Sequence, residues 1–246
     1  LPEKWPATLE HIGVEAFRSN KITSLPDHWP EKLTTISYGV FADNQLTSVS
    51  QTWPENLSVI GDQAFQNNKI TSLPEEWPQS LTSIGKNAFS QNQLSSLPEK
   101  WPSSLKVIDN AAFYVNQLTA LPEEWPESLE TIGPGAFRLN KIADVPNKWP
   151  DGLKSIGRLA FYDNIPLPSG LSFDVKPEQL TQKFLNDIKE SGLKTPIYLF
   201  TTDSVTPQGL KVPEGVIINP VKVTLNFVDE SGATLAEPVT VIGTQN

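Results

Sequence analysis

The chain has 246 residues, 38% hydrophobic and 19% charged, with a net charge of −9 and neither Cys nor Met. That balance is too apolar for a disordered chain and too acidic, with no Lys/Arg block, to neutralise the phosphates of nucleic acid or of an anionic membrane. Without Cys there is no disulfide, thiolate nucleophile or Cys-held zinc.

No apolar run reaches the roughly 18–20 residues of a membrane span, and the N-terminus carries no signal peptide. The absence of Met even at position 1 predicts a segment of a longer precursor, with any export or anchoring signal outside it.

From Leu1 onward one unit repeats. Trp stands at 5, 29, 53, 77, 101, 125 and 149, always followed by Pro, at a constant step of 24 residues. The same step carries Leu9 to Leu153, Ile12 to Ile156, Phe17 to Phe161 and Asn20 to Asn164. A fixed period of this length marks a solenoid and outranks any local reading of helix or strand. Seven units fit, and the register is lost after Asn164. Two Pro in most units exclude a two-helix repeat.

Within a unit, "KITSLP" and "LTSIG" are short, contain β-branched residues and end on Pro or Gly, so both are expected as short parallel strands. "GKNAF" has room for about one helical turn. Leu9, Ile12, Ala16, Phe17, Ile22 and Leu25, with their equivalents, are the expected interior. The Asn column is expected to face inward, bonding to corner backbone groups and to the Asn stacked above it. The Trp column is expected to be a stacked structural spine. Pro after each Trp favours an extended corner, and the indole N–H would reach a carbonyl or water. Seven exposed Trp would form an apolar stripe unsuited to a soluble chain.

These residues carry a resemblance. The pattern LxxIGxxAFxxNxLxxLP resembles bacterial surface leucine-rich repeats of the BspA type over residues 1 to about 164. It departs from them at the inserted "EEWP", at Ser37 and Asp109 where Gly is usual, and at "VSQT" in the third unit. The expected fold is α/β: a right-handed leucine-rich repeat solenoid of seven 24-residue coils (1–164), with a C-terminal cap (165–220) holding one helix over 177–191. The helix follows from Leu180, Phe184 and Ile188 on one face, between Pro177 and Gly192. "PIYLFT" (196–201) is expected as a buried strand, and an open solenoid end requires such a cap.

The final stretch, 221–246, alternates Val221, Val223, Leu225 and Phe227 with polar residues, turns at "ESGA", and returns as "PVTVIG". This hairpin resembles the opening of MucBP (mucin-binding) modules of Gram-positive surface proteins over about 25 residues.

Chemistry finds little purchase. His11 and His28 stand alone, and no nucleophile elbow, phosphate loop or metal-ligand spacing occurs. The pairs Glu75–Glu76 and Glu123–Glu124 are adjacent loop residues of the kind that point apart into water. No enzyme activity, cofactor or metal is expected. Binding is the better class, because a solenoid offers an extended surface. One candidate is the hydroxyl row Thr23, Thr47, Thr71, Ser95 and Thr119, ending at Ala143. The other is the variable position after Phe, where Tyr114, Arg138 and Tyr162 fall in the C-terminal half. Both sets also fit ordinary solvated positions.

The resemblance implies a secreted, wall-anchored cell-surface interaction or adhesion protein with a protein partner, without nucleic acid or membrane insertion. Alternatives are a binder of mucin-type glycans and a passive spacer projecting other modules.

Overall fold

The computed structural model describes residues 1–143, 145–146, 148–164, 171–194, 196–201, 209–218, 221–228 and 234–243, the side chains of Ser172 and of the last two segments excepted. Six two-residue strands, β1 (Thr35–Ile36), β2 (Val59–Ile60), β3 (Ser83–Ile84), β4 (Val107–Ile108), β5 (Thr131–Ile132) and β6 (Ser155–Ile156), form one parallel sheet in chain order. Each residue pairs with its equivalent 24 positions on, Ile36 with Ile60 and Ile60 with Ile84. These are the "LTSIG" segments, one per coil from the second to the seventh.

"KITSLP" differs from expectation. It forms no strand, although Gln45 N–H donates back to Ile22 O (2.9 Å) and Thr47 N–H to Thr23 O (3.3 Å). The N–H between them, of Leu46, donates forward to Asn68 Oδ1 at 3.0 Å. A side chain thus takes one rung of the ladder, the offset slips from 23 to 24 residues, and what survives is an isolated bridge at Ser48–Ser72.

The third side of each coil, expected as a helical turn, is a pair of turns running opposite to the sheet. Here N–H groups donate to the following coil: Phe41 to Ala64 O (2.9 Å) and Phe65 to Ala88 O (2.8 Å). Two positions per coil, four residues apart, hold φ between 53° and 60° in all seven coils. They include Val115, Leu139 and Leu159, residues for which the left-handed region costs about 1–2 kcal/mol. The conformation persists because backbone groups on both sides are fixed by neighbouring coils.

Inside, the periodic residues form columns. Leu33 through Leu153 and Ile36 through Ile156 are at most 2% exposed. The Phe rings stack with centroids 5.3–5.7 Å apart and planes within 16°. In the first coil Trp5, Leu9, Phe17 and Ile22 are half-buried.

The seventh coil points the N–H groups of Leu159, Phe161 and Asp163 forward and leaves an open Trp face. The chain after it supplies partners for the first two and covers the face. Strand β7 (Leu171–Val175) brings Phe173 to 4.9 Å from Trp149, at the end of the Trp column. A 3₁₀ turn (Pro177–Gln179) places Gln179 Nε2 at 2.9 Å from Pro150 O and 3.4 Å from Leu153 O. Helix α1 (Gln182–Glu190), N-capped by Thr181, buries Phe184, Leu185 and Ile188. The last carbonyls of a helix have no intrahelical partner. Here Glu190 O accepts from Leu159 N–H (2.7 Å) and Ser191 O from Phe161 N–H (2.8 Å). The helix end thus stands in for an eighth coil. Strands β8 (Ile197–Thr201) and β9 (Val216–Ile218) join β7 in a parallel three-stranded sheet, order β7-β8-β9.

Gly192 ends the helix with φ +91°, and a Cβ there would come 2.6 Å from Tyr162 N. Gly192→Ala is therefore expected to lose about 3 kcal/mol, read from urea midpoints. A loss below about 1 kcal/mol would mean that the helix end does not bear on the last coil.

Residues 221–228 and 234–243 form an antiparallel pair, β10 (Val221–Val228) with β11 (Thr234–Gly243). The register shifts between Leu225–Val239 and Phe227–Ala236. Pro238, which has no N–H to give, lies in that gap. The "ESGA" turn and the outward or inward setting of Val221, Val223, Leu225 and Phe227 lie outside the described residues.

Candidate functional site

Three columns are taken up by the fold itself. Trp29 through Trp149 are 1–7% exposed. The indoles stack 5.6–6.5 Å apart, with planes 6–15° from parallel. Most also meet the Phe column edge-on, as Trp53 meets Phe65 at 6.2 Å and 69°. They offer no face to a sugar ring. The indole N–H groups, expected to reach a carbonyl or water, are buried, and none of the seven Nε1 atoms has an acceptor among the described residues. Burying an indole removes on the order of 200 Å², worth about 5 kcal/mol. That outweighs the roughly 1–3 kcal/mol cost of an unpaired donor.

The Asn column faces inward and bonds to backbone alone. Asn116 Oδ1 accepts from Leu94 N–H (3.0 Å), while its Nδ2 donates to Phe89 O (2.9 Å) and Phe113 O (3.2 Å). The pattern recurs from Asn44 to Asn164. Among the described residues no Asn of the column bonds to another, because stacked amides spend their atoms on carbonyls and N–H groups of the same and the preceding coil. Among the described residues Asn20, in the first coil, donates to Phe17 O and Arg18 O.

Two surfaces remain. Thr23, Thr47, Thr71, Ser95 and Thr119 are all exposed and aligned from coil to coil by backbone hydrogen bonds. Thr71 and Thr119 lean their hydroxyls back on Thr47 O (3.4 Å) and Ser95 O (3.5 Å). Beside the row, two contiguous grooves of about 770 and 830 Å³ run past the edges of Trp77, Trp101 and Trp125. Thr119 lines the first of them. Their walls hold Glu75, Glu76, Glu99, Glu123, Glu124 and Glu127 against Lys100. A hydrogen bond from Lys148 Nζ (2.8 Å), then one from Asp151 N–H, holds the Glu127 carboxyl below its ordinary range. The adjacent Glu pairs are exposed, and no group of three metal-ligating side chains occurs among the described residues.

The second surface is the turn face of coils five to seven. Tyr114, Arg138 and Tyr162 occupy the same position in successive coils, so the 24-residue step stacks them. The Arg138 guanidinium lies 6.0 Å from the Tyr114 ring centroid and 5.5 Å from that of Tyr162. Its Nη2 donates to Asp163 Oδ2 at 3.2 Å. In coils two and four the equivalent residues, Ala42 and Ser90, are fully buried, so the ridge is confined to the C-terminal half. In coil one Arg18 sits there instead, paired with Glu15 and with Asp43 (3.0 Å), which raise its pKa further.

Beside the stack lies a pocket of about 350 Å³, whose lining adds Asn87, Asn110, Pro134, Arg158 and Leu159. Leu139 is 38% exposed on the same face. Sequence reasoning named the stacked triad but missed Arg158 and Leu139. Neither column singles them out, since Tyr38, Asp62 and Lys86 stand at the Arg158 position and Asp43, Asn67 and Gln91 at the Leu139 position in coils two to four.

The BspA type leucine rich repeat region matches the sequence in six copies, over residues 4–119 and 49–168. No curated protein is significantly similar. Among solved structures, a leucine-rich repeat protein from Bacteroides ovatus is 21% identical, with a TM-score of 0.47, over 87% of this chain and 59% of that one. The chain thus spans about three-fifths of that protein's length.

Proposed function

This chain belongs to the BspA-type leucine-rich repeat family, and on that premise we propose that it is a non-enzymatic interaction protein of a bacterial cell surface, gripping a protein partner through the turn face of coils five to seven. Repeats of this family commonly serve as protein-interaction scaffolds rather than enzymes. The stack of Tyr114, Arg138 and Tyr162 supports the reading most directly. Tyr and Arg dominate interface hot spots, and here they stand together beside a pocket and exposed Leu139. The hydroxyl row Thr23, Thr47, Thr71, Ser95 and Thr119 is the weaker surface, since nothing breaks its solvated uniformity.

The proposed organisation is a solenoid over 1–164, a cap over 165–220, and a hairpin over 221–246 that opens a MucBP-like module. Anchoring to the cell wall would run through a region outside this segment. No helix among the described residues is long and apolar enough to cross a membrane.

The test uses the whole chain against a panel of host and bacterial surface proteins and against a mucin-type glycan array. A protein ligand whose affinity falls about tenfold or more in Arg138→Ala or Tyr162→Ala supports the reading. A ligand found only on the glycan array, or silence in both, overturns it in favour of a sugar binder or a spacer.

A further inference from the structure

Resting on the reading of the turn face as a partner surface, we propose that the pocket beside the Tyr114–Arg138–Tyr162 stack selects an acidic side chain, so that the partner offers an Asp/Glu-bearing peptide segment. The chain as a whole is acidic, at −9. The two large grooves on the other face carry six Glu against one Lys in their walls and would repel such a segment. The 350 Å³ pocket reverses this, with two Arg in its lining and no carboxylate.

Its groups are also unspent. Arg158 is exposed and forms no ion pair or side-chain hydrogen bond among the described residues. The side-chain amides of Asn87 and Asn110 likewise have no partner there. Arg138 gives one donor to Asp163, and its Nε is buried out of a ligand's reach, so the free charge of the pocket rests on Arg158.

Geometry adds to charge. The Arg138 guanidinium, held between two rings, fixes one wall of the pocket, and the Arg158 guanidinium can match a carboxylate with two parallel N–H donors. The volume suits one or two side chains rather than a folded surface, and the apolar walls, Pro134 and Leu159, flank the polar groups. An acidic residue next to an aromatic or aliphatic one is the complement: its carboxylate on Arg158 beside the free amides, its neighbour against Tyr114, Pro134 and Leu159. Because Arg158 is exposed, attraction would be screened by salt.

The experiment follows the Arg Hε–Nε and Tyr ring resonances of the full chain by NMR. The probes are the peptide Ac-Asp-Glu-Phe-Asp-Glu-NH2, its amide counterpart Ac-Asn-Gln-Phe-Asn-Gln-NH2, and 3′-sialyllactose. The expected result is a saturable shift of Arg158 and of the Tyr114 and Tyr162 rings by the acidic peptide. Its affinity should drop about tenfold in Arg158→Gln and again on raising salt from about 0.05 M to about 0.5 M. Arg158→Gln should leave the rest of the spectrum in place, since only the backbone of residue 158 holds the fold, through Gly135 N–H to Arg158 O.

Equal binding of the amide peptide at the same resonances would overturn acid selection while leaving the turn face a peptide-binding surface. Shifts confined to other regions, or no shift at Arg158, would overturn the pocket as the site. Binding of sialyllactose without the acidic peptide would overturn a peptide partner in favour of a glycan.

Discussion

Phe113→Ala is expected to lower the free energy of unfolding by about 4 kcal/mol, the range for emptying a fully buried aromatic site. Phe113 is 0% exposed and lies at 5.6 Å from Phe89 and 5.5 Å from Phe137. It also meets Trp101 edge-on at 6.4 Å. Each coil touches only its neighbours, so the loss should weaken one interface and not the whole array. Urea denaturation followed by far-ultraviolet circular dichroism should show a lower midpoint and a broadened transition as coils on either side uncouple. A change under about 1 kcal/mol would mean that the Phe column is loosely packed and the solenoid rests on its backbone ladder.

The second large effect is expected at Asn116. Asn116→Leu keeps the size of the side chain and removes its hydrogen bonds. Phe89 O and Phe113 O each retain another Asn donor, from Asn92 and Asn140. Leu94 N–H, in a buried residue, loses the one acceptor it has among the described residues. The expected cost is about 2–3 kcal/mol, mostly that of the stranded donor.

Asn116→Asp separates the two halves of the amide. The acceptor for Leu94 N–H survives, but the charged form would face two carbonyls where the Nδ2 donor stood. Both burial and those carbonyls raise the carboxyl's folded-state pKa above its unfolded value. A group raised in this way contributes stability below its unfolded pKa, about 3.9, and loses it as the pH rises through the folded value. The Asp variant should therefore be closest to wild type below about pH 4 and fall away toward neutrality. Equal deficits at both pH values would show that the site is open to water.

Much of this was legible in the sequence because a 24-residue period turns spacing into adjacency. The Leu, Ile, Phe, Trp and Asn columns, and the contact of Arg138 with Tyr114 and Tyr162, follow from arithmetic once the coils stack. A helix near the C-terminus is expected over 177–191 from Leu180, Phe184 and Ile188; all three are buried, but the α-helix starts at Gln182, and Leu180 lies in the link between the 3₁₀ turn and it.

What escaped was decided by backbone polarity. "KITSLP" has strand chemistry, yet Asn68 takes the Leu46 N–H and the ladder fails there. The left-handed turn positions bear Val115, Leu139 and Leu159, and nothing in those residue types announces φ > 0. Because the direction of the turn hydrogen bonds was hidden, so was the reason for the helix. Its free carbonyls, on Glu190 and Ser191, meet the forward N–H groups of Leu159 and Phe161. Arg158 was missed for the same reason, since its pocket is formed between turns whose conformation the sequence does not display.

The central claim is that the seven Trp-Pro pairs build the solenoid and leave partner binding to the turn face. Tryptophan emission of the native chain tests it directly, with acrylamide as quencher and mucin-type oligosaccharides as titrant. With the indoles of coils two to seven at 1–7% exposure, emission should be blue-shifted, weakly quenched and unchanged by sugar. A red-shifted spectrum, or quenching that saturates with a specific oligosaccharide, would contradict it and make the Trp column the binding surface.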